Sequence, residues 1–340
     1  MENKKDVLIL GIESSCDETC ASIVKNGREI ISNEIISSAK EHLKFGGVVP
    51  EIASRVHLTA VYEVVERALK SANLTIDEID AVAVTYGAGL VGALLVGVSF
   101  AKSLAYAYNK PLIPVNHIRG HISACYLVDK ELEPPFLAVI SSGGHTAILY
   151  VKNYLEFEVL GATLDDAIGE AFDKVARMLG LEYPGGVNIE RIAIDGKNNI
   201  DLPKMLKGEK GYNLSYSGLK TAVGNYINKK AQKGEEIVKE DVACSFQTVA
   251  VDELTKRAVL CAEKLKMKKV CICGGVAANE YYRESFKEKL AKKGITLVMP
   301  PKNLCTDNGA MIASEGYVQY LYANRVAGLD LNATASIPLK

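Results

Sequence analysis

The sequence has 340 residues, of which 48% are hydrophobic and 24% are charged, and its formal net charge at pH 7 is −1. A chain of this length exceeds the usual limit for one hydrophobic core, so we expect a globular protein with two lobes. The nearly neutral charge argues against a strongly basic nucleic-acid domain, so an RNA partner requires a local basic patch or another subunit.

The longest apolar segment, residues 87–107, contains Lys102 and several small or polar residues, which favours a buried helix over a membrane span. The first residues contain no cleavable apolar region, so we expect a cytoplasmic protein without membrane association. The eight cysteines show no Cys-x-x-Cys spacing and most lie in apolar runs, which is typical of reduced, buried thiols.

The chain begins with a predicted strand, a polar loop and a returning strand. Residues 7–13 are aliphatic, residues 14–19 are small and polar, and residues 20–24 are aliphatic again. An Asn-Gly pair then predicts a hairpin turn into a third strand at residues 29–36. A loop of this kind can present backbone N–H groups to an anion.

The same pattern recurs about 130 residues later. Residues 136–140 predict a strand, residues 141–145 (Ser-Ser-Gly-Gly-His) a turn, and residues 146–151 the returning strand. Two copies of this phosphate-loop pattern indicate two lobes of related topology.

Alternating elements between the copies indicate an α/β architecture. Pro50 opens a predicted helix that ends near residue 73, and a strand at residues 80–86, a helix at residues 91–109 and a strand at residues 112–116 follow. The apolar stripe of the first helix consists of Ile52, Val56, Ala60 and Val64.

A charged, proline-containing linker at residues 130–135 predicts the lobe boundary. We expect an N-terminal lobe at residues 1–131, completed by a C-terminal helix at about residues 308–340, and a C-terminal lobe at residues 132–307.

The second lobe is predicted to continue the alternation. We expect an acid-rich helix start at residues 165–174, a break at 183–186, a polar surface excursion at 204–216, helices at 217–231 and 240–265, and strands starting at 270 and 296. The strand that starts at Val270 ends in a Gly-Gly turn, which is where open α/β sheets bind ligands and where an adenine or a ribose can approach the backbone.

Two histidines, His117 and His121, directly follow the strand at residues 112–116. On a helix this spacing places both imidazoles on one face, about 5–6 Å apart at Cβ, so that they can share a metal ion. The alternative is a pair of surface or hydrogen-bonded histidines without a ligand. The segment lacks the glutamate of the His-Glu-x-x-His pattern of zinc proteases.

Asp307 lies in a polar loop before the final helix, and with the two histidines it makes a ligand set that suits Fe(II) or Zn(II). The alternative role of Asp307 is the N-cap or first-turn acid of that helix. Cys125 lies one further turn along the histidine face and could be a fourth ligand, but we expect it to pack in the core.

Other charged residues admit two interpretations each. Asp17 and Glu18 are paired carboxylates that serve as turn formers or as a general base or water-positioning group. Asp173 is a solvated helix acid or a contact to a sugar hydroxyl. Runs of lysine near residues 229–233, 264–269 and 287–293 favour solvated helix faces over contacts with an RNA backbone.

Eight ordered motifs along essentially the whole chain resemble the bacterial TsaD family, the threonylcarbamoyl transferase of the tRNA-modification machinery. They lie at residues 11–19, 116–121, 141–146, 169–174, 183–186, 215–221, 274–279 and 305–308. The resemblance implies the two-lobed fold of actin, Hsp70 chaperones and sugar kinases. It also implies transfer of threonylcarbamoyl from threonylcarbamoyl-AMP to N6 of adenosine 37 in tRNAs that read codons beginning with A.

The resemblance further implies that His117, His121 and Asp307 hold one divalent ion, Fe(II) in preference to Zn(II). The residues implied to line the adenylate site are Ile140, Ser141, Ser142, Gly143, Gly144, Asp173, Gly186, Glu190 and Asn279. Two positions depart from the family pattern: Val187 stands where proline is common, and Glu190 stands where aspartate is common. We assign the base or water-orienting role to Asp17 or Glu18.

The family also implies partners: tRNA, a smaller paralogous subunit (TsaB-like) and an ATPase subunit (TsaE-like), with the helix at residues 50–73 as a candidate interface. Three other functions remain open, namely an ATPase or sugar kinase of the same fold, a metalloprotease (an older assignment of this family), and a non-catalytic paralogue. The missing glutamate argues against the protease, and the His-x-x-x-His and Thr-Asp-Asn motifs argue against the paralogue.

Overall fold

The computed structural model describes residues 6–206 and 211–338, and these divide into two compact units. The first unit contains the residues up to Pro134, the segment Asn153–Glu156 and the residues from Asn303 onwards. The second unit contains Pro135–Lys152 and Phe157–Lys302.

Each unit is built on one five-stranded sheet with the same pattern of connections. In the first unit the order is β3-β2-β1-β4-β5, and in the second it is β8-β7-β6-β9-β10, so that three antiparallel strands are followed by two parallel ones in both. The strands are β1 Leu8–Glu13, β2 Glu18–Lys25, β3 Glu29–Ser37, β4 Ala81–Gly87, β5 Leu112–Asn116, β6 Phe136–Ser141, β7 Thr146–Val151, β8 Phe157–Ala162, β9 Lys269–Cys273 and β10 Thr296–Val298.

Helices connect and cover these strands. Within the described residues they are α1 Ala39–His42, α2 Pro50–Ala72, α3 Val91–Ala107, α4 His117–Ser123, α5 Ile168–Met178, α6 Gly185–Ala193, α7 Ser217–Gln232, α8 Lys239–Lys264, α9 Glu280–Ala291, α10 Lys302–Cys305 and α11 Gly309–Tyr322. The predicted α/β class and the duplicated strand–loop–strand pattern are therefore confirmed.

The sheet of the first unit has apolar layers on both faces. Because side chains alternate along a strand, Leu10 and Ile12 pack with α2 and α3, whereas Ile9 packs with α11. Gly11 points to the α11 side, where an added Cβ would clash with the backbone of Gly309. This close approach fixes the start of α11 against β1.

The predicted stripe of α2 is only partly correct. Ala60 and Val64 are buried, but Ile52 and Val56 are half-buried. The buried face of α2 consists of Ala53, His57, Ala60, Val61, Val64, Val65 and Ala68. The sequence pattern therefore identified the helix correctly but placed Ile52 and Val56 on a buried face to which they do not fully belong.

The expected helix start at residues 165–174 is wrong. The helix α5 begins at Ile168, and Asp165 and Asp166 precede it. Both carboxylates bind groups distant in sequence instead: Asp165 accepts hydrogen bonds from the start of α7, and Asp166 pairs with Lys174 and Lys220. The predicted helix start was based on the local preference of acids for a helix N-terminus, and these tertiary contacts override that preference.

Two further expectations need correction. The segment 204–216 is not simply a polar surface excursion, because Met205, Leu214 and Tyr216 are buried; its residues 207–210 lie outside the described residues. The final helix does not extend to residue 340 but ends at Tyr322, and Asn324 adopts a left-handed conformation with a φ of 48°, which is incompatible with a continuing helix.

Candidate metal centre and substrate loops

The helix α4 begins where the sequence predicts it, and its N-cap explains why. The side chain of Asn116 accepts hydrogen bonds from the backbone N–H groups of Ile118 at 2.8 Å and Arg119 at 3.4 Å. The helix therefore starts at His117, and His117 and His121 lie on one face with their ring centroids 4.6 Å apart.

Asp307 faces these two imidazoles. The N-cap of α11 is Asn308, whose side-chain oxygen accepts a hydrogen bond from the N–H of Met311 at 2.9 Å, so the alternative role of Asp307 as the N-cap is wrong. Its Oδ1 atom lies 3.5 Å from Nε2 of His117 and 3.3 Å from Nε2 of His121. One ligand atom from each of the three side chains lies within 4.8 Å of the others.

The chemistry of this triad fits a divalent metal ion. Both ring nitrogens of His121 are buried without a hydrogen-bond partner in the described part of the chain, although Nε2 faces the Asp307 carboxylate. Burial opposes the charged form of Asp307, but His117 and His121 outweigh it and lower the pKa of Asp307 to about 2. A buried imidazole without a partner and an ionised carboxylate are the ligands that such an ion requires.

Cys125 is not part of the triad. The group of candidate ligands found among the described residues comprises the two histidines and the aspartate. Cys125 is fully buried in a 3₁₀ turn, Ala124–Leu127, that follows α4. The expectation that it packs in the core is confirmed.

Glu13 is a residue of this site that the sequence reasoning missed. It is the last residue of β1 and is completely buried, and its Oε2 atom lies 3.1 Å from Nδ1 of His117. Burial opposes the charged form of His117, but the carboxylates of Asp307 and Glu13 outweigh it and raise the pKa of His117 to about 9. Because the contact spans 104 residues of sequence, no local pattern indicates it.

Asp17 lies in the loop between β1 and β2, and Glu18 follows it as the first residue of β2, in the same unit as the triad. Asp17 is buried, and its backbone carbonyl accepts hydrogen bonds from the backbone N–H and the hydroxyl of Ser38, both at 2.8 Å. Burial, together with the negative charges of Asp307 and Asp17, raises the pKa of Glu18 to about 9. These surroundings therefore favour the neutral form of Glu18.

The corresponding loop of the second unit, between β6 and β7, contains no acid. It is closed by hydrogen bonds between Ser142 and His145, with the N–H of Ser142 donating to the His145 carbonyl at 2.8 Å. A Cβ added at Gly143 or Gly144 would meet no atom within 4 Å, and neither glycine has a left-handed φ. Neither packing nor backbone conformation explains these two glycines.

The polar residues predicted for the adenylate site have structural partners in the second unit. Asp173 accepts a hydrogen bond from the N–H of Gly185 at 2.8 Å and one from that of Gly186, so it caps α6 and is not a merely solvated acid. Burial raises its pKa despite these bonds. A Cβ at Gly186 would again meet open space.

Glu190 and Asn279 both bind the start of α9. Glu190 accepts a hydrogen bond from the N–H of Glu280 at 2.8 Å, and Asn279 accepts one from that of Tyr282 at 2.9 Å. The amide of Asn279 also donates to Gln247 at 2.8 Å. The longer side chain at position 190 is therefore held by the backbone of a neighbouring helix.

The lysine runs pair with acids, as expected for solvated helix faces. Lys230 lies 2.6 Å from Glu235, Lys289 lies 2.6 Å from Asp252, and Lys293 lies 2.7 Å from Glu263.

Comparison with known proteins places the chain in a family. The family model described as "TsaD: tRNA N6-adenosine threonylcarbamoyltransferase" matches residues 29–314. A protein of that name from Clostridium botulinum (strain 657 / Type Ba4) is 53% identical over 337 residues, which cover 99% of both chains. One from Clostridium perfringens (strain SM101 / Type A) is 52% identical over 338 residues, again 99% of both.

The chain belongs to the TsaD family. It is therefore a tRNA-modifying transferase, as its resemblance to that family implied.

Solved structures of lower identity support the fold of this TsaD member. Full-length HypF in its phosphate- and nucleotide-bound form superposes with a TM-score of 0.61 at 17% identity, over 93% of this chain and 46% of HypF. Component A of the (R)-2-hydroxyglutaryl-CoA dehydratase of Acidaminococcus fermentans gives 0.53 at 14% identity, over 92% of this chain and 98% of that one. The predicted actin-, Hsp70- and sugar-kinase-like fold is confirmed. In residues 6–206 and 211–338, no helix combines the length and hydrophobicity that crossing a bilayer requires.

Proposed function

We propose that the chain transfers the threonylcarbamoyl group from threonylcarbamoyl-AMP to N6 of adenosine 37 in tRNAs that read codons beginning with A. We further propose that the reaction uses one divalent ion, Fe(II) in preference to Zn(II), held by His117, His121 and Asp307. The observation that carries this proposal is the convergence of three ligand atoms within 4.8 Å of one another. Since tRNA is the substrate, we place the enzyme in the cytoplasm.

The chemistry needs activation on the acyl side, because an exocyclic adenine amine is a poor nucleophile. A divalent ion held by His117, His121 and Asp307 would supply Lewis acidity, which would polarise the carbamoyl carbonyl and stabilise the departing AMP phosphate. Two imidazoles and one carboxylate occupy only part of a coordination sphere, so substrate oxygens can bind as well.

Asp17 or Glu18 is the proposed base or water-orienting group for the attacking amine. Asp17 lies in the loop after β1 and Glu18 follows it, and the negative charges of Asp307 and Asp17 are among the causes that raise the pKa of Glu18. A carboxylate in this loop can accept the proton that N6 loses when the new carbon–nitrogen bond forms. Positive charge near the loop would favour the ionised form of Glu18.

The second unit supplies the proposed adenylate site. We assign the binding of threonylcarbamoyl-AMP to Ile140, Ser141, Ser142, Gly143, Gly144, Asp173, Gly186, Glu190 and Asn279. The strongest support comes from the glycines that face open space, because glycine costs conformational entropy and is retained where another molecule approaches the backbone. Backbone N–H groups in such a turn can bind the phosphate.

We also propose that tRNA, a smaller paralogous subunit (TsaB-like) and an ATPase subunit (TsaE-like) are partners, and that the paralogous subunit docks on α2. Leu58 and Tyr62 lie four residues apart on this helix, and each is 65% exposed. Replacing both by aspartate should abolish co-elution with that subunit in size-exclusion chromatography, whereas the control Arg67→Ala, at an exposed position on another face of α2, should not. Unchanged co-elution of the double variant would exclude this face.

The function is tested by transfer of radiolabelled threonine to tRNA in the presence of an adenylate-forming enzyme and the partner subunits, with and without a chelator. We expect incorporation that the chelator abolishes and that Fe(II) restores. Full incorporation by protein shown to be free of metal would contradict the metal-dependent mechanism. Rapid ATP hydrolysis by the purified chain without transfer would favour the ATPase or sugar-kinase alternative.

A further inference from the structure

Glu13 is a completely buried carboxylate whose partners are all polar groups of the first unit. Its Oε2 atom accepts a hydrogen bond from the hydroxyl of Thr85 at 2.6 Å and lies 3.1 Å from Nδ1 of His117. Its other oxygen accepts one from the N–H of Ser15. In the described residues no lysine or arginine forms an ion pair with it. Because burying a carboxylate is costly, this arrangement calls for a role.

The sheet brings these groups together. The strands β1, β4 and β5 are neighbours and run parallel, with Ile12 beside Val84 and Thr85 beside Val115. Glu13 follows Ile12 at the end of β1, Thr85 lies near the end of β4, and His117 follows β5 directly. The contacts that join the Thr85 hydroxyl, the Glu13 carboxylate and the His117 imidazole therefore lie at the carboxyl ends of three adjacent strands, where α/β sheets bind their ligands.

We propose that Glu13 is a positioning residue for the metal centre, fixing the ring orientation and tautomer of His117. This inference rests on the proposed metal site. An ionised carboxylate only accepts hydrogen bonds, so Nδ1 of His117 must keep its proton, and Nε2, which faces Asp307 at 3.5 Å, is the nitrogen that gives up a proton to bind the ion. Carboxylates that hold metal-binding histidines in this way also make the ligand more basic.

Ser15 shows why the carboxylate is decisive. Its hydroxyl lies 3.2 Å from the same Nδ1 atom and can either donate or accept. If this hydroxyl were the only partner of Nδ1, the ring could carry its proton on Nε2, which would block the ion. Glu13 excludes that tautomer.

The two histidines differ in this respect. His121 has no hydrogen-bond partner for Nδ1 in the described part of the chain. His117 is therefore the ligand held in place before the ion binds, and His121 is oriented by its helix and by the ion itself.

The test measures binding of Zn(II) and Co(II) to metal-free protein by competition with a chromogenic chelator. We expect Glu13→Gln to weaken binding by about 10–100-fold. The matched control is Glu315→Gln, which removes another buried carboxylate of the same unit; Glu315 accepts hydrogen bonds from Arg119 at 2.8 Å and Ser123 at 2.6 Å and has no contact to either triad imidazole among its hydrogen bonds. The control should lose stability but keep wild-type affinity.

A second readout separates positioning from general destabilisation. In the Zn(II)-loaded wild-type protein labelled with ¹⁵N-histidine, His117 should show a slowly exchanging Nδ1–H resonance, and Glu13→Gln should lose this protection. If Glu13→Gln does not fold, Thr85→Val, which removes the hydroxyl that donates to Glu13, replaces it, with Thr85→Ser as its control. We then expect Thr85→Val to bind Zn(II) and Co(II) more weakly than Thr85→Ser does.

Three outcomes overturn the inference. Wild-type affinity and an unchanged Nδ1–H resonance in Glu13→Gln would show that Glu13 does not position His117 and would leave the triad intact. Equal affinities of Thr85→Val and Thr85→Ser would do the same. If wild-type protein binds neither ion, the proposed metal site itself fails.

Discussion

The two units carry the same sheet and the same strand–loop–strand start, but their loops differ in charge. The loop after β1 follows the buried acid Glu13, contains Asp17 and leads into Glu18 at the start of β2, and the triad lies in the same unit. The loop after β6 contains Ser142, two glycines that face open space and His145. One topology thus supports a charged centre suited to a cation in the first unit and an uncharged backbone surface suited to a phosphate or nucleotide in the second.

Acids are present in the second unit too, and three of them stabilise the start of a helix. Asp165 binds the start of α7, Asp173 caps α6, and Glu190 caps α9. The comparison shows that the number of acids in a unit does not indicate where the candidate metal centre lies. What marks the first unit is a carboxylate that faces two imidazoles, one of which has no other partner in the described part of the chain.

We expect the largest difference between the two units when a side chain of the triad is removed. We expect His121→Ala to abolish metal retention and threonylcarbamoyl transfer together, because the remaining two side chains cannot hold the ion. Metal content by mass spectrometry and the transfer assay measure both. The control is His42→Ala, a buried histidine of the same unit that binds Ser38 instead. Full metal occupancy in His121→Ala would show that the triad is not the site.

Removing an acid of the first loop should be the next largest effect. If Asp17 is the base, Asp17→Ala should lower the transfer rate by about 10²–10⁴-fold at normal metal content. Glu18→Gln, assayed beside it, decides which of the two carboxylates acts. An Asp17→Ala variant that keeps the full rate with normal metal content would rule Asp17 out.

The second loop is tested by closing its open space. Gly143→Ala adds a methyl group that meets no protein atom within 4 Å, so the melting temperature should not change. We expect KM for threonylcarbamoyl-AMP to rise about tenfold, which corresponds to about 1.4 kcal/mol. Gly224→Ala in α7 is the control and should leave KM unchanged, since its Cβ would lie 3.6 Å from Met178. An unchanged KM in Gly143→Ala would contradict our assignment of this loop.

The smallest effect concerns an acid of the second unit that we regard as structural. Burial opposes the charge of Asp165, but hydrogen bonds from Ser215, Ser217 and Tyr216 outweigh it and lower the pKa of this carboxyl below its ordinary value of 3.8. Asp165→Asn should reduce the free energy of unfolding by about 0.5–1 kcal/mol, because the exposed site is screened by solvent, and should leave transfer intact.

The pH dependence of that effect has a defined sign. Because the pKa is lowered on folding, the stabilisation is fully present above pH 3.8 and is lost as the pH falls through the lowered value. Urea denaturation at pH 7 and pH 3 should therefore show a difference between wild type and variant that shrinks in acid. A transfer defect in Asp165→Asn would mean that the acid also serves the reaction.

Local sequence signals were sufficient for the histidine helix. The aliphatic strand β5 ends at Asn116, a residue that favours N-caps, and this fixes His117 as the first residue of α4. The sequence also indicated Asp307 as the third candidate ligand, because it lies in the polar loop that opens the final helix. The sequence did not show whether Asp307 or Asn308 would cap α11, because both side chains suit that role.

The contacts that local signals could not give are those between distant segments. Glu13 lies 72 residues from Thr85 and 104 from His117, so only the strand order of the folded sheet brings them together. The same reason applies to Asp165. Its carboxylate binds the start of α7, about 50 residues further along the chain, and not the start of α5, which directly follows it.

The most direct test of the central claim is a crystal of the protein loaded with Fe(II) without oxygen, with anomalous differences recorded at the iron edge. We predict one peak per chain, bonded to Nε2 of His117, Nε2 of His121 and a carboxylate oxygen of Asp307. A peak at another position, or no peak in crystals whose solution carries the metal, would contradict the account.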